Sequence, residues 1–312
     1  MKLDVPQLHD VDIRLLKIFK VVVECEGFSA SEEVLGVGRS TISKYIADLE
    51  TRLGVRLCER GRAGFRISPH GRVVYQATVE LLDSLERFRT QVSQAKTRLS
   101  GSLSVWLMDN TIDEENNPVL RALESFRARP GDVMLSLNAA APNAVEQAVA
   151  SRRAHIGLTI SCSNLPGLLY RTVGHERTSL YCGRTHPLFE ASLEDIRAEN
   201  FQTYDFVTRG YLVGEPKPTV QQRNSTALAM HVEATVQLIL TGDYLGILPD
   251  HIAQRWTASG KLRRLPADQF QGATPVNIVV REQSMELPPV AAFIEDLSDG
   301  HGTMEPSKSR LS

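Results

Sequence analysis

The stretch GVGRSTISKYIADLE, residues 36–50, decides the fold of the N-terminal part of this 312-residue chain. Ile42, Ile46 and Leu49, with Leu53 just beyond, recur at helical spacing and fall on one side of a helix that turns about 100° per residue. Ser40, Ser43, Lys44 and Ala47 gather on the other side. The apolar side can anchor the helix to a small core. The opposite side is short, so backbone and hydroxyls can come close to a groove, and a helix N-terminus favours phosphate.

Upstream, Asp12 is placed to cap a helix running to about Cys25, with Leu15, Leu16, Ile18, Phe19, Val22 and Val23 as its apolar stripe. Gly27 ends it. SASE at 29–32 reads as a capping box, in which the Ser29 hydroxyl accepts from a backbone N–H and Glu32 reaches back. A short helix then runs to about Leu35, and GVG makes a tight turn. Helix, short helix, turn and helix is the helix-turn-helix layout, whose second helix enters the major groove by its N-terminal end.

Downstream, Gly54 ends the third helix. Val55–Leu57 and Phe65–Ser68 can form two short strands around an Arg-rich turn, a wing whose Arg60, Arg62 and Arg66 would reach a backbone or a minor groove. Residues 39–72 hold eight Arg and Lys against three Asp and Glu, in a chain whose net charge is −2. A local basic patch in a slightly acidic protein suits a phosphate-binding module.

Residues 12–72 resemble the winged helix-turn-helix of the LysR-type transcriptional regulators, through LLKIFKVVVECEGFSASEEVLGVGRSTISKYIADLETRLGVRLCER and RISPHG. That family usually starts its recognition helix with a Ser-Gln pair. Here Gly38, Arg39 and Ser40 stand there. Gly38 brings no capping hydroxyl, and Arg favours a guanine edge where Gln favours adenine. The resemblance implies that Ser29, Arg39, Ser40, Thr41, Ser43, Lys44, Arg60, Arg62 and Arg66 contact double-stranded promoter DNA.

Residues 70–100 contain no proline. Val74, Thr78, Leu81, Leu85, Phe88, Val92, Ala95 and Leu99 alternate spacings of 4 and 3, a seam for a partner helix. The expected organisation is therefore a winged head at 11–69 and a coiled-coil linker and dimerisation helix at 70–100. An effector-binding domain follows at 101–300, then a disordered tail at 301–312. Val74, Leu81, Leu85, Phe88, Val92 and Leu99 carry the dimerisation expectation.

From 101 onward strand-like and helix-like segments alternate: SLSVWLM, a helix ending near ARPG, VMLSLNAA, NAVEQAVASRR and AHIGLTI. This order predicts a parallel α/β sheet. THPLF at 185–189 and TGDYLGILPDHIAQRW at 241–256 resemble signature stretches of the same family's effector domain. The resemblance implies two α/β lobes like a type II periplasmic binding protein. Lobe I is expected at about 101–162 plus 270–300 and lobe II at about 163–269, with crossings near 161–167 and 266–274. A small-molecule inducer would lie between the lobes, where strand ends meet helix N-termini. Asp109, Asn110, Thr111, Ala141, Thr159, Ser161, Thr208 and His231 are the expected effector residues. Asp109 would repel an anion there, so a carboxylate inducer does not follow from these residues.

The family also implies a homodimer or homotetramer that bends promoter DNA, and a contact with RNA polymerase. No cofactor or metal is expected. GxSxG, Walker A, HExxH and Rossmann patterns are absent, so an enzyme built on the α/β domain is the weaker reading. A redox sensor using Cys162 and Cys182 is a second alternative. The four cysteines form no CxxC pair, there is no signal-like N-terminus, and no apolar run reaches 18 residues, which together read as a cytoplasmic chain.

Overall fold

The computed structural model describes residues 9–61, 64–94, 99–109, 111, 118–198, 200–210, 225–297 and 305–306. The chain divides into two compact units, Met1–Gln91 and Val92–Ser312.

In the first unit, α1 (Asp10–Glu24), α2 (Glu32–Leu35) and α3 (Arg39–Leu53) enclose a core of Leu15, Leu16, Phe19, Val22, Ile42, Ile46 and Leu49. Phe19, Val22, Ile42, Ile46 and Leu49 are fully buried. A two-stranded wing follows, β1 (Cys58–Gly61) paired antiparallel with β2 (Gly64–Ile67). The first wing strand thus starts later than Val55–Leu57. Leu57 is fully buried in the head core, and Glu50 accepts from the Leu57 and Cys58 N–H groups at 2.8 and 3.1 Å, so pairing begins only past that anchor. The Ser68 hydroxyl donates to Arg56 O at 2.6 Å and accepts from the Gly71 N–H, tying the wing's base to the start of α4 (Pro69–Gln94). Gly71 is needed there, because a Cβ would fall 2.1 Å from Leu57 O.

Two capping expectations change. Asp12 is not the N-cap of α1. His9 holds that position, and Asp12 accepts from the His9 N–H at 2.8 Å. Ser29 does not head a capping box either, because Ser31 is the N-cap of α2 and donates its hydroxyl to Gly27 O and Phe28 O, both at 2.9 Å. Glu32 is thereby released for another partner.

α4 has 26 residues, about 39 Å at 1.5 Å per residue. Its first turns serve the head: Val74 and Leu81 pack on the head core, and Thr78 and Val79 are buried. Phe88 is 65 % exposed. Leu99 does not belong to this helix. It opens β3 (Leu99–Met108), where it pairs with Gly131.

The second unit is built on a mixed sheet ordered β4-β3-β5-β11-β6-β9-β7-β8, with β10 and β12 also on β6. One half carries β4 (Gly131–Ala140), β3 and β5 (Ile156–Thr159) in parallel. The other half carries β7 (Phe206–Arg209), β8 (Ser225–Ala229) and β9 (Leu245–Pro249) in parallel, with β10 (Leu262–Leu265) at the edge of β6. The helices are α5 (Pro118–Ala128), α6 (Pro142–Ala150), α7 (Leu193–Ala198), α8 (Val232–Leu240), α9 (Asp250–Ala258) and α10 (Pro288–Leu297). Both sheet faces are covered. Ile278 and Val280 enter one core with Phe126 and Phe293, while Val279 between them enters another with Val149 and Tyr170. The second half repeats the pattern, with Leu180 and Cys182 in one core and Tyr181 in the other, as strand alternation requires.

The lobe crossings differ from expectation. β6 (Leu168–Gly183) pairs with β11 (Gly272–Arg281) along both halves, and a bulge lies at Val276/Asn277. These two strands carry the chain from lobe to lobe. Residues 161–167 are instead a loop held to lobe I. The tail also departs in part from disorder, since β12 (Glu305–Pro306) pairs with Tyr170 and Leu169.

Candidate functional site

The exposed side of α3 is the first candidate surface. Arg39, Ser40 and Lys44 are exposed, and Thr41 and Ser43 half-buried, while Ile42 and Ile46 on the other side are sealed in the core. Gly38 caps α3 with extended backbone and no side chain. The missing cap is supplied from a distance: the Glu32 carboxylate accepts from the Arg39 backbone N–H. The base of α3 is tied to α1 by Arg52, whose guanidinium donates through both Nε and Nη2 to Asp12. Arg52, then the His9 N–H, hold the Asp12 carboxyl below the usual carboxylate range.

Arg66 is exposed on β2, Arg60 lies on β1 opposite Phe65, and Ser29 is exposed before α2. Arg62 lies outside the described residues.

The second candidate is the cleft between the lobes. Asp109, at the C-terminal end of β3, reaches across it. Its Oδ2 accepts from the Val232 N–H at 2.9 Å and lies 3.5 Å from His231 Nδ1, so a carboxylate of lobe I sits on the N-terminus of α8 in lobe II. Thr111 is half-buried, and Asn110 lies outside the described residues. Ala141 is the N-cap of α6. Thr159 is fully buried: its hydroxyl donates to Pro142 O at 2.8 Å and accepts from the Ser161 N–H at 3.0 Å. Thr208 is buried at the end of β7.

Glu146 was missing from the expected set. It is 1 % exposed and organises the loop after β5. Its Oε1 accepts from the Ser163 N–H and the Tyr170 hydroxyl, both at 2.7 Å. Its Oε2 accepts from the Ser161 and Ser163 hydroxyls at 2.9 and 2.6 Å. Burial, then the Glu146 bond, pushes the Tyr170 hydroxyl up from its ordinary value. The signal was in the sequence: Glu146 falls in the apolar stripe of α6, between Val145 and Val149. Ser161 therefore spends its hydroxyl on the protein. Arg209 on β7 faces Glu176 of β6 at 4.0 Å, both buried.

Cys162 is exposed on the Glu146 loop. Cys182 is sealed inside lobe II, where burial pushes its thiol up to about 12. A thiol so raised is a poor nucleophile at neutral pH, so the geometry gives a Cys162/Cys182 switch no support.

Comparison with known proteins places this arrangement. Residues 13–72 match the bacterial regulatory helix-turn-helix protein of the lysR family, and residues 98–301 match the LysR substrate binding domain. The HTH-type transcriptional activator BauR of Pseudomonas aeruginosa is 40 % identical over 277 residues, covering 88 % of this chain and 91 % of that one. The HTH-type transcriptional regulator PcaQ of Agrobacterium fabrum is 22 % identical over 309 residues, covering 94 % and 96 %. A full-length OxyR from Pseudomonas aeruginosa shares the fold at a TM-score of 0.62 and 18 % identity, covering 98 % of this chain and 100 % of that one. Full-length CbnR in complex with its target DNA does so at 0.58 and 19 %, covering 93 % and 99 %.

Proposed function

The chain belongs to the LysR family of transcriptional regulators, and from that premise we propose that the α3 side bearing Arg39, Ser40, Thr41, Ser43 and Lys44 reads promoter DNA under the control of a small molecule held between the lobes. One observation carries the reading. Arg39, Ser40 and Lys44 are exposed on that side, with Thr41 and Ser43 half-buried, while Ile42, Ile46 and Leu49 are fully buried, so docking in a major groove disturbs no core. Arg66, with Arg60 and Arg62, holds the backbone, and Ser29 approaches a phosphate. The chain acts as a dimer that pairs two heads for two half-sites, with Leu85, Phe88 and Val92 of the later α4 turns as its contact. Two dimers join into a tetramer that bends the promoter and touches RNA polymerase. Among the described residues no helix is long and apolar enough to cross a membrane, and a promoter-binding protein works in the cytoplasm.

Selection of duplexes from a random pool, followed by hydroxyl-radical footprinting, tests this. The expected result is an enriched, partly symmetric site with two protected half-sites about one helical turn or a multiple apart. A pool that does not converge on any sequence contradicts it.

A further inference from the structure

The reading of α3 as the helix that enters the groove is the ground for this inference. We infer that Glu32 is a specificity-determining residue of the DNA interface: its carboxylate keeps phosphate off the leading end of α3, so that this end is held for base edges.

The first N–H groups of a helix have no partner inside it. In α3 those of Thr41 and Ile42 turn back to Gly38 O at 2.9 and 3.1 Å. That of Arg39 goes to the Glu32 carboxylate. The Ser40 N–H is left, with no partner among the described residues. A helix end of this kind draws phosphate through its open N–H groups and its dipole. Here a half-buried carboxylate, fixed by its bond to Arg39, stands against that attraction.

The cap by itself does not call for a charge. Gly38 has extended backbone at φ −68° and ψ 154°, and a Cβ there would meet nothing within 4 Å. A serine fits that position, and its neutral hydroxyl is an ordinary cap. The chain caps instead with an anion from α2.

Two modes of binding feel that anion differently. Sequence-independent binding is built from phosphate contacts, and a phosphate approaching this turn meets the Glu32 charge. In the specific complex the same turn lies against base edges, where Arg39 finds the acceptors of a guanine. The repulsion therefore falls harder on the wrong complex, and specificity is a difference of affinities.

The test is the affinity of the full chain for its selected duplex and for an unrelated duplex of equal length, across a salt series. Glu32→Gln keeps an oxygen for the Arg39 N–H and removes the charge. Glu32→Gln combined with Gly38→Ser adds a local cap, so α3 stays capped whether or not the glutamine holds its bond. Glu33→Gln, at the exposed neighbour, is the control for general charge. Both Glu32 variants should bind the unrelated duplex about two- to fivefold more tightly. The slope of log affinity against log salt should steepen there by about 1, and the selected duplex should gain less. A carboxylate that only caps gives the opposite sign: Glu32→Gln weakens both duplexes and the added serine restores them. That result overturns the inference, as does no gain on the unrelated duplex, an equal gain on both, or an equal effect of Glu33→Gln. A wild-type chain that prefers no duplex fails the functional reading beneath; one that discriminates while its variants give any of these results fails this inference alone.

Discussion

The carboxylate of Glu32 caps the helix that starts seven residues later, accepting a hydrogen bond from the backbone N–H of Arg39. Gly38 leaves that helix without a capping side chain, so α2 supplies the acceptor that the turn lacks. Glu32→Ala should destabilise the head by about 1 kcal/mol, the usual worth of a cap, measured by urea unfolding of the full chain. Glu33→Ala, one position on and exposed, should change little. Equal losses in the two variants would show that Glu32 contributes only surface charge.

The Asp12–Arg52 pair makes the head acid-sensitive. The folded Asp12 carboxyl titrates below its unfolded value of about 3.9. Its contribution is therefore fully present above about pH 4 and is lost as pH falls through the folded value. In urea unfolding, the gap between wild type and Asp12→Asn should be widest near neutral pH and close in acid. A gap independent of pH would mean that the charge is not what Asp12 contributes.

Arg39 and Lys44 should fail differently when changed. Arg39→Gln should move the preferred base at one position from guanine toward adenine, as read from selected binding sites. Lys44→Ala should weaken all duplexes alike and lower the slope of log affinity against log salt by about 1. A Lys44→Ala variant with altered sequence preference would place that residue on a base instead.

Ile46 is fully buried in the head core. Ile46→Ala should cost about 2–5 kcal/mol in head stability, seen as a lower unfolding midpoint of the first transition in calorimetry. Little or no loss would mean that the site collapses around the cavity.

Much of this arrangement is legible in the chain itself. The period of Ile42, Ile46 and Leu49 places α3 and its buried side, and β3 to α6 follow from alternating strand and helix patterns. What escapes has a common physical source, namely contacts between residues far apart. Glu32 caps from seven positions away, which no local capping pattern encodes. The wing starts at Cys58 because Glu50 and the head core hold Leu57. Residues 173–177, Val-Gly-His-Glu-Arg, look like a loop, yet they run as strand because β11 pairs with them across the lobe boundary. Asp109 was visible as an acidic residue out of keeping with a carboxylate site, but its partner on α8 lies 123 positions away.

The most direct test of the central claim is the affinity of a Ser43→Glu variant for the selected duplex, with its fold checked by the unfolding midpoint. Ser43 is half-buried at the flank of the exposed α3 side, next to Lys44, so a carboxylate there should be carried by the fold and repelled by the groove. We predict an unchanged midpoint with at least a tenfold loss of sequence-specific affinity. A variant that folds normally and binds its duplex as tightly as wild type would contradict the placement of this helix in the groove.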